Sequence, residues 1–437
     1  MSVTRHRLRS VAVVALVAMT ALGTAAACSS KAATPGAKPD KLIVDTFGEF
    51  GYDDLVKAYE QQTGIKVELR KTAQLGDYRP KLVRYLATGQ GAGDVVALEE
   101  GIINEFKINP ANWVDLKPLV GDLSSQYLPW KYELGKAADG KLIGLPTDVG
   151  SLAVCYRRDL FQAAGLPADR DAVSALWPTW DKFIETGVTY RSKTGKGMLD
   201  SVTTAASAII FQVGGESFYD KDLNLYKADG KTLVASESPA VKQAWDTSVK
   251  MVNANITAKT ATWSNEWSAG FKNGTFAATF CPSWMTGIVQ DNSGPDNKGK
   301  WDVAAVPGGS GNWGGSWLAV PSQSKYPAEA AKLAAFLTNA QSQVAAFKLK
   351  GPLPTNLSAL ANPDFQSYKN AYFNDAPTGK IFGGSVANIK PLVLGPKHGA
   401  VKEKALEPAL QGLEKGTLTA DAAWKQFLND VPIQGSY

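Results

Sequence analysis

Histidine is nearly missing. The 437-residue chain has two, His6 and His398, and only the second lies beyond the leader described below. Histidine-based nucleophilic triads and histidine-rich metal sites are therefore nearly excluded, and no metal or cofactor is expected. His398 follows Pro396-Lys397 and is expected in an exposed loop. Cysteine is scarce as well, with three residues, Cys28, Cys155 and Cys281. There is no block or stripe of Lys and Arg, which argues against a nucleic-acid partner. No internal repeat is visible, and no membrane-length apolar run follows the leader.

What is present begins at the first residues. Arg5, Arg7 and Arg9 form a basic start, Val11 to Leu22 is apolar but short for a membrane span, and Ala25-Ala26-Ala27 leads into Cys28. This order predicts a signal peptide over 1–27 and lipidation of Cys28, although Ala25 stands where a lipobox usually has Leu. An ordinary A-x-A cleavage site with Cys28 left in a loose tail is the plainer alternative. Residues 28–40 are small and polar with Pro35 and Pro39, a flexible tether. The expected location is the outer face of the cell membrane, held by lipid; one acyl chain anchors only marginally. The three leader arginines leave without an acid, so the formal charge falls from +5 to +2.

About 400 residues exceed what one core usually serves, and two domains are expected. The body opens strand-helix-strand-helix-strand: Leu42–Val44, a helix from Asp53, the period-two run Ile65, Val67, Leu69, a helix from about Tyr78 to Leu86, and Asp94–Leu98. That alternation predicts an α/β fold with a wound parallel sheet. Later strands are expected at Leu152–Tyr156, Phe276–Phe280 and, twice, within Val303–Val320. Helices are expected at Ala205–Val213, Ala240–Val252 and Glu266–Lys272, and as one long helix from Pro327 to about Lys348. Thr179 and Thr419 are candidate N-caps. Cys155 and Cys281 sit in two of these strands. An even pair in an oxidising compartment suggests a disulfide, and two inert buried thiols remain the alternative.

Gly309-Ser-Gly311-Asn-Trp-Gly314 fits G-x-G-x-x-G. A dinucleotide loop follows a strand and opens a helix. Here Pro307 precedes the motif and a strand follows it, so dinucleotide binding is rejected.

The 12 tryptophans suggest a different chemistry. Sugars offer flat apolar C–H faces and a rim of hydroxyls, so their sites combine aromatic platforms with carboxylates and amides. Trp284 follows a predicted strand. Trp313 and Trp317 flank Gly314-Gly315, and Trp263 and Trp267 sit at a helix start. Among polar residues, Glu49, Glu99, Glu100 and Asp148 lie near strand ends, where open α/β sheets bind ligands, and Gln212 ends an apolar helix. The plainer alternative for each tryptophan is core packing, and for each acid a solvated charge or a cap.

Five segments then carry a resemblance: Gly91-Ala-Gly-Asp-Val-Val, Leu145-Pro-Thr-Asp-Val-Gly150, Tyr156-Arg-Arg-Asp-Leu-Phe161 with Ala164-Gly-Leu-Pro167, Cys281-Pro-Ser-Trp-Met285, and Gly314-Gly-Ser-Trp-Leu-Ala-Val320. With the Pro327-Ala-Glu-Ala-Ala helix, their order resembles family 1 extracellular solute-binding proteins, the maltose-binding type, including its cellobiose- and other oligosaccharide-binding members. The resemblance implies a two-lobe type II periplasmic-binding-protein fold with a central cleft, lobe 1 from 41–149 plus 305–345 and lobe 2 from 150–304 plus 346–437. It implies hinges near Pro146–Gly150, Val303–Gly309 and Gln343–Gly351, and Trp284 as the stacking tryptophan of the second lobe. It also implies a monomeric, non-enzymatic receptor that hands a carbohydrate to an ABC permease. The rivals are a glycoside hydrolase with paired carboxylates, and the same fold holding iron, a polyamine or a peptide.

Overall fold

The computed structural model describes residues 38–436. The expected signal peptide over 1–27, the expected lipidation site Cys28 and most of the expected tether lie outside the described residues. Among the described residues, ten strands form three sheets. Strands β1 (Lys41–Phe47), β2 (Lys66–Thr72), β3 (Val95–Glu99), β4 (Gly144–Pro146) and β9 (Ser316–Ala319) make a five-stranded sheet in the order β2-β1-β3-β9-β4. β1 pairs parallel with β2 and β3, whereas β9 runs antiparallel to β3 and β4. Strands β6 (Leu152–Arg157), β7 (Ala278–Pro282) and β8 (Trp301–Ala304) make a second sheet, β7-β6-β8, antiparallel throughout. β5 (Asp148–Val149) and β10 (Leu353–Pro354) form a small ladder of their own.

Alternation along the strands builds two layers on each large sheet. In β3, Val95 and Ala97 face one core and Val96 and Leu98 the other. In β6, Leu152, Val154 and Tyr156 face one cluster while Ala153 and Cys155 face another. Both faces are covered, so these strands read as continuous apolar runs. Cys155 and Cys281 are disulfide-bonded across β6 and β7, with Cα atoms 5.5 Å apart. That cross-link ties two strands 126 residues apart in sequence inside the second sheet's core.

The chain passes between the large sheets three times. β4 leads through Thr147–Ser151 to β6, β8 leads through 305–315 to β9, and the third passage runs from 339 to 355. This third passage corrects the expected single helix over Pro327 to Lys348. Two helices occur instead, Pro327–Thr338 and Ala340–Lys350. Asn339 stands between them and accepts a bond from Ser342 N at 2.8 Å, a local alternative to helix continuation. The break lets Ala330, Leu333 and Leu337 pack against the first sheet, while Val344 and Phe347 join the core of the second. Gln343 fastens the passages together: its amide donates to Pro146 O at 2.9 Å and accepts from Thr355 N and Asn356 N, both at 2.8 Å.

Thr179 caps the helix Trp180–Thr194, and Thr419 caps Ala420–Gly435. The expected helices near 205, 240 and 266 occur as Val202–Val213, Pro239–Asn253 and Asn265–Asn273. His398 corrects the expectation of an exposed loop. It is 1% exposed, in the one-turn helix His398–Val401, its ring 4.8 Å from that of Phe218. Neither ring nitrogen has a partner among the described residues, and burial pushes its pKa down to about 3.

Candidate functional site

Trp284 lies two residues past the end of β7 and stands at the N-terminal boundary of the helix Met285–Ser293. It is half-buried, and its indole Nε1 donates to Trp313 O at 2.9 Å. Trp313 belongs to the passage leading into β9, so this bond joins the second sheet's lobe to the edge of the first. The rings of Trp284 and Trp313 meet edge to face, centroids 6.1 Å apart. On another side, Trp263 lies nearly parallel to Trp284, 6.2 Å away and inclined by 17°.

Two glycines allow this approach. A Cβ on Gly150 would stand 1.7 Å from Trp313 O and 3.0 Å from Trp284 Nε1, so no side chain fits there. Gly314 has φ +85, and a Cβ on it would meet Trp284 Nε1 at 3.3 Å and Glu99 Oε1 at 3.7 Å. Bare backbone, an indole and a carboxyl group thus converge at one point between the lobes.

Glu99 ends β3 and caps the following helix, Glu100–Phe106, by accepting from Gly101 N at 2.6 Å. Burial pushes its pKa up to about 8, with the neighbouring Glu100 carboxylate adding to the rise. Glu100 points into a fully buried ion pair with Lys131 and accepts from Asn312 Nδ2 at 2.8 Å. Burial raises its pKa, and Lys131 and Asn312 oppose that. Asn312 in turn accepts from Gly150 N at 2.7 Å. Asp148 accepts from Thr147 Oγ1 at 2.6 Å and Ser316 N at 3.0 Å. Lys131 Nζ also donates to Gly314 O at 3.3 Å and sits 4.0 Å above the Trp317 ring. These groups hold the 312–316 segment from behind.

The structure therefore brings Trp284, Trp313, Glu99, Glu100 and Asp148 together, with Glu99 and Trp284 at the meeting point and Glu100 and Asp148 as its backing. Four candidates are placed elsewhere. Trp317 is 0% exposed: its face is covered by Lys131 and its Nε1 donates to Lys131 O at 3.0 Å. Gln212 accepts from Trp180 Nε1 at 2.9 Å and donates to Pro307 O at 2.7 Å and Gly309 O at 2.5 Å, so it ties down the second passage. Glu49 is exposed and pairs with Lys71 at 2.7 Å. Trp267 is core, 1% exposed and bonded to Asp200 at 2.8 Å. Sequence reasoning missed Lys131 and Asn312. A lysine among Trp130, Tyr132 and Leu134 was a faint signal for the first. Asn312 lay inside the glycine-rich run already set aside as a false phosphate loop.

The lobes also touch beside this point. Asn104 donates to Leu394 O, Lys397 pairs with Glu105 at 3.2 Å, and Glu105 also pairs with Arg79 at 2.6 Å. Among the described residues, no group of three or more His, Cys, Asp and Glu side chains is placed to hold a metal, and no helix is long and apolar enough to cross a membrane.

Residues 54–373 match the family of bacterial extracellular solute-binding proteins. A lactose-binding protein of Rhizobium radiobacter is 30% identical over 237 residues, 53% of this chain and 52% of that protein. An arabinooligosaccharide-binding protein of Bacillus subtilis (strain 168) is 26% identical over 326 residues, covering 71% and 72% of the two chains. The chain thus spans about half the length of the first relative and over two thirds of the second. A solved extracellular solute-binding protein of family 1 superposes with a TM-score of 0.77 at 36% identity, over 91% of this chain and 100% of that one. The fold is the two-lobe type II periplasmic-binding-protein architecture. A family match over most of the chain, three passages between two sheets and a convergent point where they meet lead to one conclusion: this chain is a member of the bacterial extracellular solute-binding protein family.

Proposed function

We propose that this chain is an exported, lipid-anchored receptor that captures a di- or oligosaccharide between its lobes and presents it to an ABC permease. The observation that carries the reading is the placement of Trp284. An indole from one lobe and a carboxyl group from the other both border the bare Gly314, the combination that a sugar's apolar face and hydroxyl rim require. The lactose- and arabinooligosaccharide-binding relatives support a carbohydrate. Lobe 1 takes 41–149 plus 305–345 and lobe 2 takes 150–304 plus 346–437, with hinges in the three passages. A sugar touching both lobes binds the closed form better than the open one, and that difference drives closure.

The carboxylates do not suit hydrolysis. Glu100 is committed to Lys131 and Asn312, and Asp148 to Thr147 and Ser316, which leaves Glu99 without a free partner among these acids for the two-carboxyl chemistry that hydrolysis needs. The test is a thermal-shift screen of the protein without residues 1–37 against lactose and arabino-, cello-, malto- and xylo-oligosaccharides. A sugar that binds raises the melting temperature by mass action. The reading predicts a shift with at least one sugar and no release of reducing ends. Hydrolysis, or no shift with the whole panel, contradicts it.

A further inference from the structure

We propose that Glu105 and Lys397 form a closure clasp, a pair of positioning residues that scales the affinity for every sugar by one factor while touching none; this rests on the two-lobe receptor reading above. The clasp lies where the helix Glu100–Phe106 of lobe 1 meets residues 394–403 of lobe 2. This seam is built for close approach. Gly101 and Gly399 face each other across it. Gly399 sits in the one-turn helix His398–Val401, where alanine would suit the backbone better than glycine. A Cβ there would stand 3.1 Å from Gly101 O, so the missing side chain is what lets the two backbones meet.

Polar groups then fasten the seam. Asn104 is buried and donates to Leu394 O in the other lobe. Glu105 accepts from Arg79 Nε at 2.7 Å and Nη2 at 2.6 Å. Arg79 stands on the helix Leu75–Thr88 of the same lobe, so this two-pronged grip fixes the carboxylate before the lobes meet. Lys397 Nζ reaches it from lobe 2 at 3.2 Å. Charges of both signs oppose each other along the seam: lobe 1 offers Arg79 and Glu105, and lobe 2 offers Lys397 and Glu403, whose carboxylate acts on Arg79.

The clasp is separate from the point where a sugar is gripped. The atoms nearest a Cβ on Gly314 belong to Trp284 and Glu99, and none to Glu105, Lys397 or Arg79. Contacts of this kind form whenever the lobes close, with sugar or without it. They raise the closed fraction of the sugar-free chain, and apparent affinity scales with that fraction. Two consequences follow from the physics. Weakening the clasp weakens every sugar equally, whereas losing a group that touches sugar affects different sugars differently. Binding of an uncharged sugar also becomes sensitive to salt, because the pair is partly open to water, with side chains 27% exposed at Lys397 and 15% at Glu105.

The experiment compares wild type without residues 1–37 with Lys397→Met, Lys397→Arg and Gly399→Ala. Calorimetry gives affinities, at about 0.05 M and about 0.5 M NaCl, for lactose and the arabino-, cello-, malto- and xylo-oligosaccharides of the panel above. Small-angle X-ray scattering gives the radius of gyration without sugar. Lys397→Met is expected to weaken every sugar that binds by the same factor, about three- to fivefold, and to lose most of the salt dependence of wild type. Lys397→Arg is expected to restore both. Gly399→Ala is expected to weaken every sugar about tenfold and to enlarge the sugar-free radius, with a melting temperature close to wild type. Losses that differ between sugars, or affinities and radii equal to wild type in both Lys397→Met and Gly399→Ala, overturn the clasp and leave the receptor reading standing. If wild type binds no sugar of the panel, the receptor reading falls and the radii alone judge the clasp: a larger radius in Gly399→Ala supports it, and an unchanged one overturns it.

Discussion

The two walls that meet at Gly314 are built from opposite chemistry. The wall from the second sheet is aromatic and uncharged at the contact: Trp284 leans on Trp263, which leans on Trp267. The wall from the first sheet is polar and charged: Glu99 stands at the surface of contact, with Glu100, Lys131, Asn312 and Asp148 packed behind it. An aromatic wall is held by apolar burial and stays useful when one ring is lost. A buried ionic wall is held by mutual compensation, and removing one member leaves an unpaired charge. The difference assigns roles: the tryptophans are expected to govern affinity, and the lysine–carboxylate group to govern stability and the shape of the 312–316 segment.

The sharpest way to break this contrast is Lys131→Met. It leaves Glu100 without its cation in a fully buried setting and is expected to destabilise the protein by about 3–5 kcal/mol, measured by chemical denaturation. A loss below about 1 kcal/mol would show that the ionic wall is not held by that pair. Trp284→Ala is the mirror experiment. It is expected to weaken sugar binding by about 1–3 kcal/mol, while circular dichroism and melting temperature stay close to wild type because the ring is only half-buried. Melting far below wild type with affinity unchanged would make Trp284 a packing residue.

The pH dependence sharpens the charged side. The Glu99 pKa is raised from 4.5 to about 8, so its contribution to stability is fully present below about pH 4.5 and is lost as pH rises toward 8. The His398 pKa is lowered from 6.5 to about 3, so its contribution is present above about pH 6.5 and is lost as pH falls toward 3. Glu99→Gln is therefore expected to flatten the fall in melting temperature between pH 5 and 8 seen in wild type, and to leave the acid limb unchanged. An unaltered alkaline slope would remove Glu99 as its source. The smallest effect belongs to Glu49→Gln, which disturbs one exposed ion pair with Lys71 and is expected to change stability by less than about 1 kcal/mol and sugar affinity not at all.

Much of the frame was legible in the residues. The apolar alternation from Leu42 to Leu98 announced the parallel part of the first sheet, and Thr179 and Thr419 marked helix starts by their capping chemistry. The place of Trp284 just past a strand end was legible from the apolar run Phe276–Phe280 before it. Trp317 was not: neighbouring strand residues face opposite sides, and one residue of register decides whether Trp317 or Leu318 faces a given core. Lys131 and Gln212 were hidden for a related reason. Each satisfies groups more than 30 residues away in sequence, and no local pattern records such partners. Asn339 shows a milder failure: a run of alanines suggested one helix, and a single capping side chain made two.

The central claim is that both walls grip one sugar at the same time. A double-mutant cycle between Trp284→Ala and Glu99→Gln, read by calorimetry with the sugar giving the largest thermal shift, tests it most directly. The account predicts that each change weakens binding and that the pair is non-additive by at least about 0.5 kcal/mol. Strict additivity, or a Glu99→Gln variant that binds as wild type does, would mean that the sugar rests on one wall only.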